Sequence, residues 1–332
     1  MAQSPLSDTP GQHSARGVQT GAPNASPATR FARFDRTAAL DLHLARFETG
    51  QPRTGVGRGP DTLLNAGLMA DLAARGLTPR IASDQGPDSA GADTIAQAHA
   101  ALTQSLTESL CRGARVLTLG GDHSIAFSTI EATLRVYPDV RILYIDAHAD
   151  VNTASSSPTG NTHGMPIAAH LGLMPAADLP AAAGVSALLQ PDRLAYLGLR
   201  DVDAPEQAVL DSLGIFHLST AEMRAMGAGL AVQTALARLD PERQHPVHVS
   251  FDIDVTDPAL APSTGVPVPG GASLEDLGAM AAALRVSGRV AAVDVVEVNP
   301  ALPDDSARSD GPQRTAETAL HFLRYLLVNG TR

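Results

Sequence analysis

Three short segments gather residues that bind cations or move protons: Gly120-Gly121-Asp122-His123-Ser124, Asp146-Ala147-His148-Ala149-Asp150 and Asp252-Ile253-Asp254. Asp294 and Glu297 follow near another apolar run. The spacing of two in Asp146, His148 and Asp150 puts all three side chains on one side if the segment is extended, and Asp252 and Asp254 repeat it. A lone aspartate at a strand end reads as a helix cap or a surface ion pair. Two histidines and five carboxylates delivered to one edge read differently. Such a crowd repels itself unless a cation sits within it. The set is rich in oxygen, with few imidazoles and no thiolate, which favours a hard or borderline divalent ion such as manganese over structural zinc. There are too many carboxylates for one ion, so the set suits two with some carboxylates bridging. Two such ions acidify water, so the residues point to metal-assisted hydrolysis.

The elements that must position these groups are legible as apolar runs at 116–119, 142–145, 194–197, 247–251 and 290–295. Continuous runs of this kind suit strands buried on both faces. Helical stretches lie between them. One covers 61–74, after Pro60 and before Gly76, and another 94–112, ending at Gly113. Ser273 reads as an N-cap for 274–286, with Asp276 near the helix dipole, and 315–327 closes the chain before Gly330. Strand–helix alternation implies an α/β fold with a mainly parallel sheet covered on both sides. In such sheets a ligand site lies beyond the carboxyl ends of the strands, where the acidic segments fall.

Composition bounds the rest. The 332 residues suffice for one large α/β domain, and a core with 3% aromatics and no tryptophan must be built from Ala, Leu and Val. Residues 1–29 are rich in Ser, Pro, Gly, Ala and Thr and read as a disordered tail, leaving 30–332 as a single catalytic domain. A net charge of −11 argues against nucleic acid or an anionic membrane face as partner. No stretch approaches the ~20 apolar residues of a membrane span. Cys111 stands alone, so there is no disulfide framework; a reducing, cytoplasmic setting fits, and the thiol reads as a small hydrophobe.

Taken together, Gly-Gly-Asp-His-Ser at 120–124, Asp-Ala-His-Ala-Asp at 146–150 and Ser-Phe-Asp-Ile-Asp at 250–254 resemble the signature blocks of the ureohydrolases, the family of arginase, agmatinase and formiminoglutamase. The third block continues in the family manner through Asp257-Pro258, Pro262, Thr264-Gly265, Pro267 and Gly270-Gly271. Gly50-Gln51-Pro52-Arg53, Gly55-Val56 and Gly59-Pro60 are similar to the arginase N-terminal segment. The resemblance runs from about residue 50 to the last helix. It implies a three-layer α/β/α sandwich on a parallel sheet of eight strands. It also implies two Mn2+ per subunit, one held by His123, Asp146, Asp150 and Asp252, the other by His148, Asp146, Asp252 and Asp254. Asp122 is then a neighbour of the ligands, and Gly120 and Gly121 permit the turn that aims His123 inward.

The same resemblance assigns a substrate. Asn152 and Thr159 lie in a loop similar to the one that grips an amino-acid α-carboxylate, and His163 matches its proton-shuttling histidine. Asp203 and Glu206 match the carboxylates that meet the α-ammonium; read from residues alone, both are also a capped helix start. Glu297 matches the acid that pairs with the guanidinium. The implied reaction is arginase chemistry: a hydroxide bridging the ions attacks the guanidino carbon of L-arginine, Asp150 orients it and relays a proton, and L-ornithine and urea leave. Hydroxyarginine, agmatine and guanidinobutyrate are the alternative substrates, and a catalytically silent metal-binding homologue the alternative class. Family members are commonly trimers or hexamers, which implies a homo-oligomer. This chain departs from the arginase pattern at Val266, where a Thr is usual, at Val255, where a Gly is common, and in the bulky segment 40–48.

Overall fold

The computed structural model describes residues 39–86, 95–175, 185–186, 188–302 and 310–327. The tail expected over 1–29 lies outside them. Strand residues alternate between two faces, and here both faces are covered. In β3 (Arg115–Gly120), β7 (Val247–Asp252) and β8 (Val290–Val296), one row is Leu117, Leu119, Val249, Phe251, Val293 and Val295. That row packs against α8 (Ala228–Leu239), α9 (Leu274–Ser287) and α10 (Gly311–Leu326). The opposite row meets α3 (Ile95–Cys111) and α4 (Ala126–Val136), where Val116, Ala292 and Val296 join a second apolar cluster.

The remaining strands are β1 (Leu40–Ala45), β2 (Pro79–Gln85), β4 (Arg141–Ile145), β5 (Leu194–Leu199) and β6 (Phe216–Ser219). All eight form one sheet in the order β2-β1-β3-β8-β7-β4-β5-β6, and every neighbouring pair is parallel. The three-layer α/β/α sandwich with eight strands therefore holds. The four central neighbours β3, β8, β7 and β4 are the ones whose carboxyl ends carry the acidic segments. No helix among the described residues is long and apolar enough to cross a membrane.

Two expectations about elements need correction. The helix read over 61–74 is two helices, α1 (Gly59–Asn65) and α2 (Leu68–Ala74), because Gly67 between them has a φ of 93°. A left-handed residue ends one helix, and glycine adopts that conformation without steric cost. Asp294 lies within β8 and is buried on the α4 side. Its Oδ2 accepts from Thr129 Oγ1 (2.6 Å) and lies 2.8 Å from His248 Nε2. It belongs to a polar seam under the sheet, not to the acidic edge. The helix starting at Ser273 is as read: Ser273 accepts from the Asp276 backbone and Asp276 reciprocates, a full capping box.

Candidate metal centre and substrate cleft

The acidic segments converge through turns. β4 ends at Ile145, so residues 146–150 are not the extended strand that their spacing suggested. Asp146 Oδ1 instead accepts from the His148 backbone N–H at 2.7 Å. Asp252 Oδ1 accepts from Asp254 N at 2.8 Å, and Asp122 Oδ1 from Ser124 N at 3.1 Å. Each strand end thus carries the same device, an aspartate that captures the N–H two residues on and bends the chain. The spacing of two reflects this turn and not a pleat.

The outcome is a tight cluster. His123 Nδ1 lies 3.1 Å from Asp146 Oδ2, Asp150 Oδ2 and Asp252 Oδ2. His148 Nδ1 lies 3.0 Å from Asp254 Oδ2 and 3.5 Å from Asp146 Oδ1. Two groups have ligand atoms close enough to share one ion: His123, Asp146 and Asp150, and Asp146, His148 and Asp254. Asp146 is common to both, and Asp252 touches the first through His123. All six expected ligands are therefore brought together. The electrostatics is that of a site short of positive charge. Burial, reinforced by Asp254 and Asp146, holds Asp252 well above the usual carboxylate range. Burial, opposed by His148, lifts Asp254 to about 6. Burial alone would lower His123, but Asp146, Asp150 and Asp252 around it push it well above the ordinary imidazole value.

Whether these residues fit a metal can be judged from their unused atoms. His123 Nδ1 and Asp146 Oδ2 are buried without a hydrogen-bond partner, although carboxylates crowd the first. The other ring nitrogen of His123, Nε2, is 2.8 Å from Ser250 Oγ, which fixes the ring as a bound imidazole is usually fixed. An imidazole lone pair aimed into a ring of carboxylate oxygens is a donor set for a divalent cation.

Neighbouring residues hold this arrangement. Tyr144 is fully buried, stacks on His123 with centroids 4.5 Å apart and planes at 9°, and donates its hydroxyl to Asp150 Oδ2 at 2.8 Å. The guanidinium of Arg200 donates to the carbonyls of Asp254 (2.6 Å), Val255 (3.1 Å) and Val268 (2.8 Å), tying the end of β5 to the loop after β7. Sequence reasoning missed Tyr144, Ser250 and Arg200. The signal for Tyr144 was a hydroxyl-bearing aromatic in an aliphatic run, two residues before Asp146. Asp150 and Glu297 have φ of 49° and 65°, in the left-handed region that non-glycine residues seldom adopt. Strained backbone of this kind tends to mark functional positions.

Above the cluster opens a cavity of about 250 Å3, small enough to suit a slender molecule. It is lined by His123, His148, Asp150, Asp252 and Asp254 of the cluster, by Glu297, His163 and Val266, and by Asn152, Thr159, Asp203 and Glu206. Glu297 is buried, and its Oε1 accepts from His123 N (2.9 Å) and faces His163 Nδ1 at 3.0 Å. Burial pushes His163 down, but the Glu297 partner more than offsets this and lifts it to about 9. Asp203 and Glu206 form a complete capping box at the start of α6 (Ala204–Leu213), so the cap reading is correct. Asn152 Nδ2 donates to Asp203 Oδ2 at 2.9 Å. Burial, and then the charge of Asp150, lifts Glu206 to about 7. Thr159 is exposed, its hydroxyl accepting from Asn161 N at 3.2 Å. Val266, 39% exposed, puts an apolar face on the wall where a hydroxyl was the usual expectation.

Comparison with known proteins agrees with this layout. The family model described as "Arginase family" matches residues 40–328. Arginase of Saccharomyces cerevisiae is 36% identical over 300 residues, covering 81% of this chain and 90% of that protein. Arginase-1 of Sus scrofa is 34% identical over 289 residues, covering 82% and 90%. The crystal structure of arginase from Bacillus subtilis superposes with a TM-score of 0.78 at 28% identity, over 89% of this chain and 99% of that one. A family match along nearly the whole described length, with relatives above the 30% level over four-fifths of the sequence, places the chain in the arginase family.

Proposed function

We propose that the protein hydrolyses the guanidino group of L-arginine to L-ornithine and urea, with two Mn2+ held by His123, Asp146, His148, Asp150, Asp252 and Asp254. The observation that carries this is the pair of imidazole–carboxylate groups sharing Asp146 beneath a narrow cavity, with the carboxylate of Glu297 in its wall. Manganese, when bound, supplies an acidified water and stabilises the charge that develops as the guanidino carbon becomes tetrahedral.

The chain's own residues orient and move protons. Glu297 Oε2 accepts from the guanidinium and sets the plane of the group, a charge-assisted contact that also fixes the approach of its carbon. Asp150 has Oδ2 tied to the Tyr144 hydroxyl, so Oδ1 is the atom that accepts a proton from attacking water and passes it to the leaving amine. His163, in the cavity wall and partly open to solvent, returns protons to bulk water. Asp203 and Glu206 attract the α-ammonium, while Asn152 and Thr159 donate to the α-carboxylate.

Among the described residues that line the cavity there is no Lys or Arg, so apart from the histidines an α-carboxylate would meet only neutral donors. That observation favours a second reading, in which agmatine, which lacks the carboxylate, is the better substrate. Urea release from L-arginine, hydroxyarginine, agmatine and guanidinobutyrate after manganese loading tests both. Highest kcat/KM with L-arginine supports the first, agmatine preference replaces it with the second, and no urea from any of them refutes both. A trimeric or hexameric assembly in the cytoplasm completes the proposal, and light scattering of the purified protein checks the assembly.

A further inference from the structure

Three donors meet the Glu297 carboxylate. Oε1 accepts from His123 N–H (2.9 Å) and lies against His163 Nδ1 (3.0 Å); Oε2 accepts from Gln51 Nε2 at 2.6 Å. Of the two side-chain donors, only the amide of Gln51 is neutral at every pH. A carboxylate offers about four lone-pair sites, two on each oxygen. The two on Oε1 are engaged and Gln51 takes one on Oε2, so the site left for a substrate is the second lone pair of Oε2. The contact from Gln51 decides which way that lone pair points.

Gln51 is itself built into place. Gly50 N donates to Asp122 Oδ2 at 2.6 Å, and Gly50 O accepts from His163 N at 3.2 Å. Asp122 N donates to Phe47 O (2.8 Å), and Glu297 N to Gly121 O (2.8 Å). The segment that carries Gln51 is therefore stitched to the loop after β3, to His163 and to Glu297. Gly265 leaves the room required: a Cβ there would stand 2.8 Å from Gln51 Oε1 and 3.2 Å from Glu297 Oε2. Arg53 donates to the carbonyl of the same Gly265 and closes the segment from its other end. A cation at position 51 would neutralise the carboxylate and a second carboxylate would repel it; an amide orients it and leaves its charge.

We propose that Gln51 is a positioning residue for the guanidino group, fixing the Glu297 carboxylate through a neutral amide, with Asp122 anchoring the segment that presents it. This rests on the reading of the protein as a guanidino hydrolase. The test compares Gln51→Met, of similar length but without the donor, with the wild-type protein, both full-length and loaded with manganese. Thermal unfolding and bound metal are measured first and are expected to match. Then kcat/KM for L-arginine falls about 10–100-fold, the scale of a misplacement near 1 Å at a reacting group. Inhibition by L-ornithine, which has no guanidinium for Glu297 to meet, keeps its wild-type constant. Gln51→Asn, which withdraws the same amide by one methylene, loses kcat/KM in the same selective way.

A Gln51→Met protein with wild-type kcat/KM overturns the proposal. So does one whose ornithine inhibition, metal content or unfolding temperature falls in parallel with activity, since that is the mark of a merely structural residue. A wild-type protein that binds manganese and releases no urea overturns the functional reading itself, and is told apart because the wild-type arm alone shows it.

Discussion

Asp254→Asn is predicted to stabilise the protein in chelator and destabilise it in manganese. Asp254 is buried, its Oδ1 accepts from Ala147 N (3.3 Å), and Oδ2 faces His148. An asparagine keeps the acceptor and removes the charge. Burial, opposed by His148, raises the Asp254 carboxyl from 3.8 to about 6. The sign follows from linkage. A carboxyl that binds its proton more tightly when folded loses stability as pH rises from its unfolded value through its folded one. The loss is absent well below pH 3.8 and complete above pH 6, and at about 1.4 kcal/mol per unit it approaches roughly 3 kcal/mol at pH 8. Asparagine abolishes it but also removes a partner of His148, so a gain of roughly 1–3 kcal/mol is expected at pH 8 in EDTA, shrinking toward zero near pH 4. With metal the order reverses, because a ligand present at a hundred times its Kd adds about 2.7 kcal/mol to whatever binds it. Urea denaturation at pH 8 and pH 4.5, with EDTA and with Mn2+, measures both effects. An Asp254→Asn protein less stable than wild type in EDTA at pH 8 would refute the claim that these carboxylates are held together against their own repulsion.

Three further outcomes are expected. Tyr144→Phe keeps the stack on His123 and loses only the 2.8 Å bond to Asp150; manganese affinity or kcat should fall about 10–100-fold, and a chelator-competition titration and a kcat both identical to wild type would remove any role for the hydroxyl. Asp203→Ala should raise KM for L-arginine more than for guanidinobutyrate, which has no α-amine; equal changes in steady-state assays would withdraw the α-ammonium assignment. His99 is lowered to about 4 by burial, with Nε2 unpartnered, so its stability contribution is present above pH 6.5 and is lost as pH falls toward 4. His99→Leu should therefore lose about 2 kcal/mol less than wild type between pH 8 and pH 5 in matched chelator titrations, and parallel curves would contradict this.

What the sequence revealed of the fold tracks burial. The central strands β3, β4, β5, β7 and β8 are sandwiched between helical layers, so their residues are apolar in unbroken runs and can be read without a partner. β2 has no such run, because it is an edge strand whose Arg80 and Asp84 reach solvent and pair with Asp41 and Arg46. β6 is four residues long and half-buried, too short for a period to show. The break at Gly67 was visible only as a glycine inside a helical pattern, and that sign is ambiguous until the backbone is known. The proposed metal ligands could be singled out because carboxylates in such numbers need a common cause. Gln51, quoted only as part of a motif, and Tyr144 and Arg200 were given no role because each makes its contact with a residue distant in sequence or turned by a loop, as when Gln51 reaches Glu297 across 246 positions.

The convergence of the ligands has a simpler origin than their spacing suggests. Neighbouring parallel strands lie about 4.8 Å apart, so the ends of β3, β8, β7 and β4 span only about 14 Å. Side chains leaving four such ends along straight strands would stay that far apart or point into the covering helices. The aspartate turns at 122, 146 and 252 bend three of the four ends off the sheet axis; the left-handed residue at 297 bends the end of β8, and the one at 150 bends that of β4 again. Glycine would adopt those two conformations at less cost, yet both positions carry a carboxylate that faces the cavity. At these two positions the strained backbone coincides with an acidic side chain aimed at the cavity. The side chains of Asp122, Asp146 and Asp252 serve twice, once as the acceptor that makes the turn and again through the oxygen that remains. Asp122 directs that second oxygen to Gly50, and the other two direct theirs to His123, which separates the residue that anchors the segment carrying Gln51 from those that face the proposed cation site.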